Sequence, residues 1–153
     1  MKSFKVLIIV LSSICVTVSP DAVVKLIGQQ SQSSAADGDS ETGLPMVIEG
    51  LIRDVACPMQ NHKSTATDFN LKCALACAKS GSPLIILTRT DEIYFPMSDV
   101  MPDPSQREKL MPFVGKFVRV TGTVYRRNGT RTIVIKEMVE LKDVKLNTGL
   151  GDD

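Results

Sequence analysis

The sequence has little of what most protein chemistry is built from. It holds one histidine, His62, and four cysteines. There is no Cys-x-x-Cys at a helix start, the placement that lowers a thiol pKa in exchange enzymes. Cys-x-x-Cys-His is missing as well, which excludes covalent c-type haem. No Gly-x-Ser-x-Gly accompanies His62, so a hydrolase triad has no support. Neither sign of charge dominates, and the formal net charge is +1. Arg126, Arg127 and Arg131 surround one turn without forming a dense basic run, which argues against a nucleic-acid partner. Phe117, Arg119, Tyr125 and Arg126 decorate the outward face of one strand and could stack bases, but packing at a sheet edge or against the short helix accounts for them better. Asp91 with Glu92, and Asp99 with Asp103, lack the spacing of a hard-metal loop and suit solvated turns.

No apolar run reaches the roughly 20 residues of a membrane-spanning helix. Val6 to Val18 is apolar and uncharged, behind Lys2 and Lys5. That pattern fits a signal peptide over residues 1–22. An uncleaved amino-terminal anchor is the alternative, and Cys15 would be the site of a lipid anchor although Ile14 before it is bulky. Either way the expected location is exported, periplasmic or extracellular. Membrane contact would come only through that segment or its lipid. Residues 23–43 read as a flexible polar linker, because from Gly28 to Gly43 the chain is largely Gln, Ser, Ala, Gly, Asp and Glu with almost nothing apolar. Residues 44–142 form one domain with a modest core, and residues 143–153 a loose tail. A domain of this size often relies on a staple, a metal or a partner.

Within the domain, strands are predicted at Met46 to Val55, Leu84 to Thr88, Ile93 to Phe95, Lys116 to Arg126 and Thr132 to Val139. Gly50 suggests a close backbone approach, and Pro96 an edge or an early end. The fourth strand alternates Val118, Val120, Gly122 and Val124 with Phe117, Arg119, Thr121, Thr123 and Tyr125. Asn128-Gly129 then predicts a type I′ hairpin. A helix is expected from Asp68 to Lys79, capped by Thr67 or Asp68 and closed by Gly81. A short one follows, with Asp103 as cap and Pro104 in its first position. The expected fold is mainly β: a small OB-like five-stranded barrel, with the cysteine helix inserted between strands one and two and the short helix before strand four. An open α+β sheet is the alternative.

What the chain does have is concentration. Cys57, His62, Cys73 and Cys77 lie within about twenty residues. Cys73 and Cys77, four apart on a helix, share one face. Cys57 ends the first strand and His62 lies in the loop between. If the helix folds back over the strand end, the four could converge as a Cys₃His zinc set. With Met59 as a further soft donor they equally suit Cu(I). Asp54 could orient His62, or merely begin a turn. Export supplies the competing reading, a disulfide from Cys57 to Cys73 or Cys77 with one spare thiol and no cofactor. Three functions therefore stay open. One is an exported metal-binding domain in envelope metal handling. The second is a non-enzymatic, disulfide-stapled interaction domain for another envelope protein, and the third a thiol redox accessory domain.

Asp54 with Cys57, His62, Cys73-Ala74-Leu75-Ala76-Cys77 and Gly115-Lys116-Phe117-Val118-Arg119-Val120-Thr121-Gly122 together give a pattern. It resembles an uncharacterised exported bacterial domain with an early cysteine, a following histidine, a Cys-Ala-x-x-Cys helix and a Gly-Lys-x-Val-x-Val-x-Gly strand. Lys79 to Pro83 and Ile85 to Leu87 look similar too, so the resemblance covers about Val47 to Val139. It implies an exported OB-like domain. The family often carries a second histidine before the helical cysteines, where this chain has Phe69-Asn70-Leu71.

Overall fold

The computed structural model describes residues 40–149. The expected signal segment, the lipid-anchor position Cys15 and the linker up to residue 39 lie outside the described residues. No helix among the described residues is long and apolar enough to cross a membrane.

Alternation of apolar and polar residues makes the longer strands, and a continuous apolar run, Leu84–Thr88, makes a fully buried short one. β1 runs Ser40–Asp54, β2 Leu84–Thr88, β3 Ile93–Met97, β4 Phe117–Arg127 and β5 Thr130–Glu140. Val118, Val120 and Val124 are buried along one face of β4, as period two requires. Asn128 and Gly129 have φ of 50° and 73°, the left-handed pair that lets β4 and β5 meet in a two-residue turn. β1 pairs antiparallel with β2 on one side and β4 on the other. At Gly50 a Cβ would lie 2.5 Å from the Leu87 carbonyl oxygen, so the close approach of β1 and β2 requires glycine there.

β2 pairs antiparallel with β3, β3 pairs parallel with β5, and β5 pairs antiparallel with β4. The order β1-β2-β3-β5-β4 returns to β1, so the ring of pairings closes. This closed ring is the small five-stranded barrel expected from the sequence, built as a mixed sheet with inserted helices, and its pairing is uneven. The long β1, β4 and β5 carry most of it. β3 joins only through Ile86–Tyr94 and Leu87–Ile93 on one side and Phe95–Thr132 to Met97–Val134 on the other. Pro96 gives the reason, since it has no N–H to donate.

Two helices, not one, fill the β1–β2 connection. α1 is Ala56–Gln60 and α2 is Leu71–Lys79. The α2 cap is Asn70 rather than Thr67 or Asp68: its side chain accepts from the Cys73 N–H at 2.9 Å. Gly81, at φ 97°, closes α2 in a Schellman arrangement, with Gly81 N–H donating to Ala78 O and Ser82 N–H to Cys77 O. α3, Arg107–Leu110, starts later than expected. Asp103 does not cap it but accepts from the Ser98 N–H at 2.7 Å.

The core falls into two apolar clusters. One lies inside the sheet around Ile52, Ile86, Tyr94, Leu110, Val118 and Ile133. The other packs α2 and the segment before it onto Leu51, Ile85, Leu87 and Phe117. Phe117, read as outward-facing, belongs to this second cluster and is buried under the Arg89 guanidinium. Leu141, Val144 and Leu146 also pack against it. Phe69 N–H donates to Asn147 O, Leu71 N–H to Thr148 O and Asn147 N–H to Thr67 O. The stretch expected to be a loose tail is thus, as far as residue 149, a tie across the start of α2.

Candidate metal centre

β1 ends on two charges with fully buried side chains, Arg53 and Asp54. The Asp54 Oδ2 accepts from the Cys57 N–H at 2.9 Å. This bond turns the chain from strand into α1 and fixes where Cys57 stands. The Arg53 guanidinium lies 3.7 Å from Asp54 Oδ1, donates to Ser64 Oγ at 2.8 Å and lies over the Phe69 ring. Arg53 Nε and Nη2 and Asp54 Oδ1 make no hydrogen bond. The pair therefore interacts mainly through charge. It anchors the loop between α1 and α2 to the strand beneath it.

α2 supplies the other two thiols. Its buried face is Ala74 and Ala78, small residues that let it lie close to β1. Cys73 and Cys77 lie one turn apart on a different stripe. Arg107 holds the far end of the helix, donating to Ser82 O at 3.1 Å and to Ala78 O. These carbonyls lie at the negative end of the helix, where a cation is favoured.

The sulfurs of Cys57, Cys73 and Cys77 all lie within 4.8 Å of one another. Two thiolates on one zinc ion, each bonded at about 2.3 Å, stand about 3.8 Å apart. Cys57 and Cys73 are 3.3 Å apart, so the observed spread brackets the distance a metal would impose. This Cys-only cluster is able to bind a metal ion. All three are free thiols. The disulfide reading is corrected accordingly: the Cys57–Cys73 contact is a thiol hydrogen bond, well beyond the ~2.05 Å of a sulfur–sulfur bond.

Burial pushes the Cys57 thiol above its ordinary pKa, helped by its hydrogen bond to Cys73 and by the Asp54 carboxylate. Cys77 is raised too, by burial first and Asp54 second, while its bond to Cys73 opposes the shift. In the metal-free protein these two groups are therefore protonated at neutral pH. A bound cation would have to displace their protons.

His62 is the main correction to the expected ligand set. It does not join the thiols. α1 and the turn after it carry it to a separate pocket of about 220 Å³, lined also by Pro58, Met59, Leu87, Asp91 and Ile93. Met59 goes with it and is exposed. Asp54 makes its bond to Cys57 and does not orient His62. The residues that sequence reasoning passed over are Arg53 and Asn70. Asn70 could have been found as a cap residue three before Cys73. For Arg53 the sequence offers no signal, because an arginine at a strand end is ordinarily solvated.

No family model, curated protein or solved structure matches the chain. The resemblance to an exported bacterial domain with a Cys…His…Cys-Ala-x-x-Cys cluster is withdrawn, since the histidine is not part of the cluster. What remains is a small mixed sheet carrying a three-cysteine cluster.

Proposed function

We propose that this domain binds a thiophilic metal ion, Zn²⁺ or Cu(I), through Cys57, Cys73 and Cys77, and serves in metal handling outside the cytoplasm. The observation that carries the reading is the convergence of three free sulfurs from two separate helices within 4.8 Å. Three soft donors without a carboxylate or imidazole select for such ions. Structural zinc sites use four protein ligands, whereas sites that exchange ligands use three. A three-thiolate set therefore favours acquiring and passing on a metal over stapling a fold. The amino-terminal apolar segment supports export, and another envelope protein is the natural donor or acceptor.

The test is native mass spectrometry of the reduced protein with added Zn²⁺ or Cu(I). One equivalent retained, and lost when any of the three cysteines becomes serine, is the expected result. A reduced protein that retains neither ion would overturn the proposal. So would a purified protein whose Cys57 and Cys73 are covalently paired and resist reduction under native conditions.

A further inference from the structure

A cavity of about 350 Å³ opens beside the thiols, with Cys57 and Cys73 on its wall. Its other lining comes mostly from the end of α1 and the loop that follows it, including Gln60, Asn61, Lys63, Ser64 and Asn70, with Arg53 of β1 behind. The size suits a small molecule rather than a side chain. No other His, Cys, Asp or Glu of the described residues joins the three sulfurs. A tetrahedral ion held there keeps one position for an outside ligand.

Resting on the metal-binding reading above, we propose that this cavity seats a small thiol bearing a carboxylate, whose sulfur completes the coordination of a bound Zn²⁺. Sulfur matches the softness of the three protein donors. The carboxylate matches the rest of the wall. Lys63 is an exposed ammonium at the rim, and the amides of Gln60 and Asn61 and the Ser64 hydroxyl can donate. The Arg53 guanidinium borders the cavity from within the protein, but Asp54 balances its charge, so the net positive charge facing the ligand is that of Lys63. Asp68 is the only carboxylate in the lining and is exposed, so its opposition is weakened by solvent. On binding, the incoming thiol gives its proton to solvent and a zinc–sulfur bond forms. A water on the metal leaves, and nothing is oxidised or reduced. The site would thereby accept a metal already carried by a small thiol, or hand one over.

The experiment loads the full reduced chain with one equivalent of Co²⁺ as a spectroscopic stand-in for Zn²⁺. The visible spectrum is then titrated with 3-mercaptopropionate, cysteamine and propionate at one pH. The expected result is a shift toward four-sulfur coordination with 3-mercaptopropionate. Its affinity should be about tenfold or more above that of cysteamine, the scale of one charge-assisted hydrogen bond. Lys63→Gln should reduce that preference several-fold while cobalt itself stays bound. Cobalt bound with a spectrum that no thiol changes would overturn this inference and leave the metal site intact. Equal or tighter binding of cysteamine, or the same change with propionate alone, would also overturn it. Failure to bind cobalt or zinc at all would instead remove the metal-binding reading beneath it.

Discussion

Asp54→Asn is the most revealing single perturbation of this domain. The asparagine keeps an oxygen that can accept from the Cys57 N–H, so the turn into α1 is preserved. What disappears is the charge facing Arg53, 3.7 Å away with both side chains fully buried. At an effective dielectric of about 20, charges at that separation attract by about 4.5 kcal/mol. Much of this is offset by desolvation, but removing one partner leaves the other charge buried and uncompensated, which costs about 3–5 kcal/mol. The 3.7 Å separation, too long for a hydrogen-bonded pair, places the effect toward the lower end, about 3 kcal/mol. For a domain of about this size that lowers the melting temperature by roughly 12–24 °C. The same change removes a negative charge that raises the thiols of Cys57 and Cys77. Their alkylation by iodoacetamide should therefore reach half-maximal rate at lower pH. Urea unfolding of the reduced, metal-free protein and the pH profile of alkylation test the two halves. A loss of stability below about 0.5 kcal/mol, the range of ordinary surface changes, would refute the buried-pair argument. A thiol pKa that rises in the variant would refute the electrostatic one.

Serine in place of Cys57, Cys73 or Cys77 should each weaken zinc binding by more than the ~10–100-fold typical of outer-sphere losses, whereas His62→Ala should leave it unchanged; competition with a chromophoric chelator measures both. The metal-free protein should lose stability as pH rises. Raised thiol pKa values favour the protonated folded state below the unfolded value near 9.0, and that advantage vanishes as pH climbs through the folded values. Denaturation midpoints at pH 7 and pH 10, with and without zinc, should show the fall only without metal. Arg107→Ala removes donors to two carbonyls at the end of α2 and should cost about 1.5–3 kcal/mol, read as a lower urea midpoint with faster amide exchange at Gly81 and Ser82.

Much of the fold was legible because its signals are local. Val118, Val120 and Val124 alternate with polar neighbours, and no other backbone satisfies that pattern as well. Asn128-Gly129 encodes its own left-handed turn. Gly81 closes α2 because glycine alone enters φ 97° without strain. The cap of α2 lies two or three residues beyond the expected one, since Thr67, Asp68 and Asn70 can all cap and only the tie through Asn147 and Thr148 selects among them. The early part of β1 was read as linker because Ser40 to Gly43 has the composition of a tether; it is a strand because β4 offers it a partner.

By itself the sequence determined that chemistry, if any, sits at the cysteines, and that Cys73 and Cys77 share a helical stripe. Helical geometry requires that much. Tertiary structure alone decided which partners complete the set. Cys57 joins because Asp54, held by Arg53, turns the chain at the end of β1. His62 departs because the turn after α1 takes it to a separate pocket. Those outcomes depend on a buried charge pair and on where a loop can close, and both are set by contacts between residues far apart in the chain, which no local pattern records.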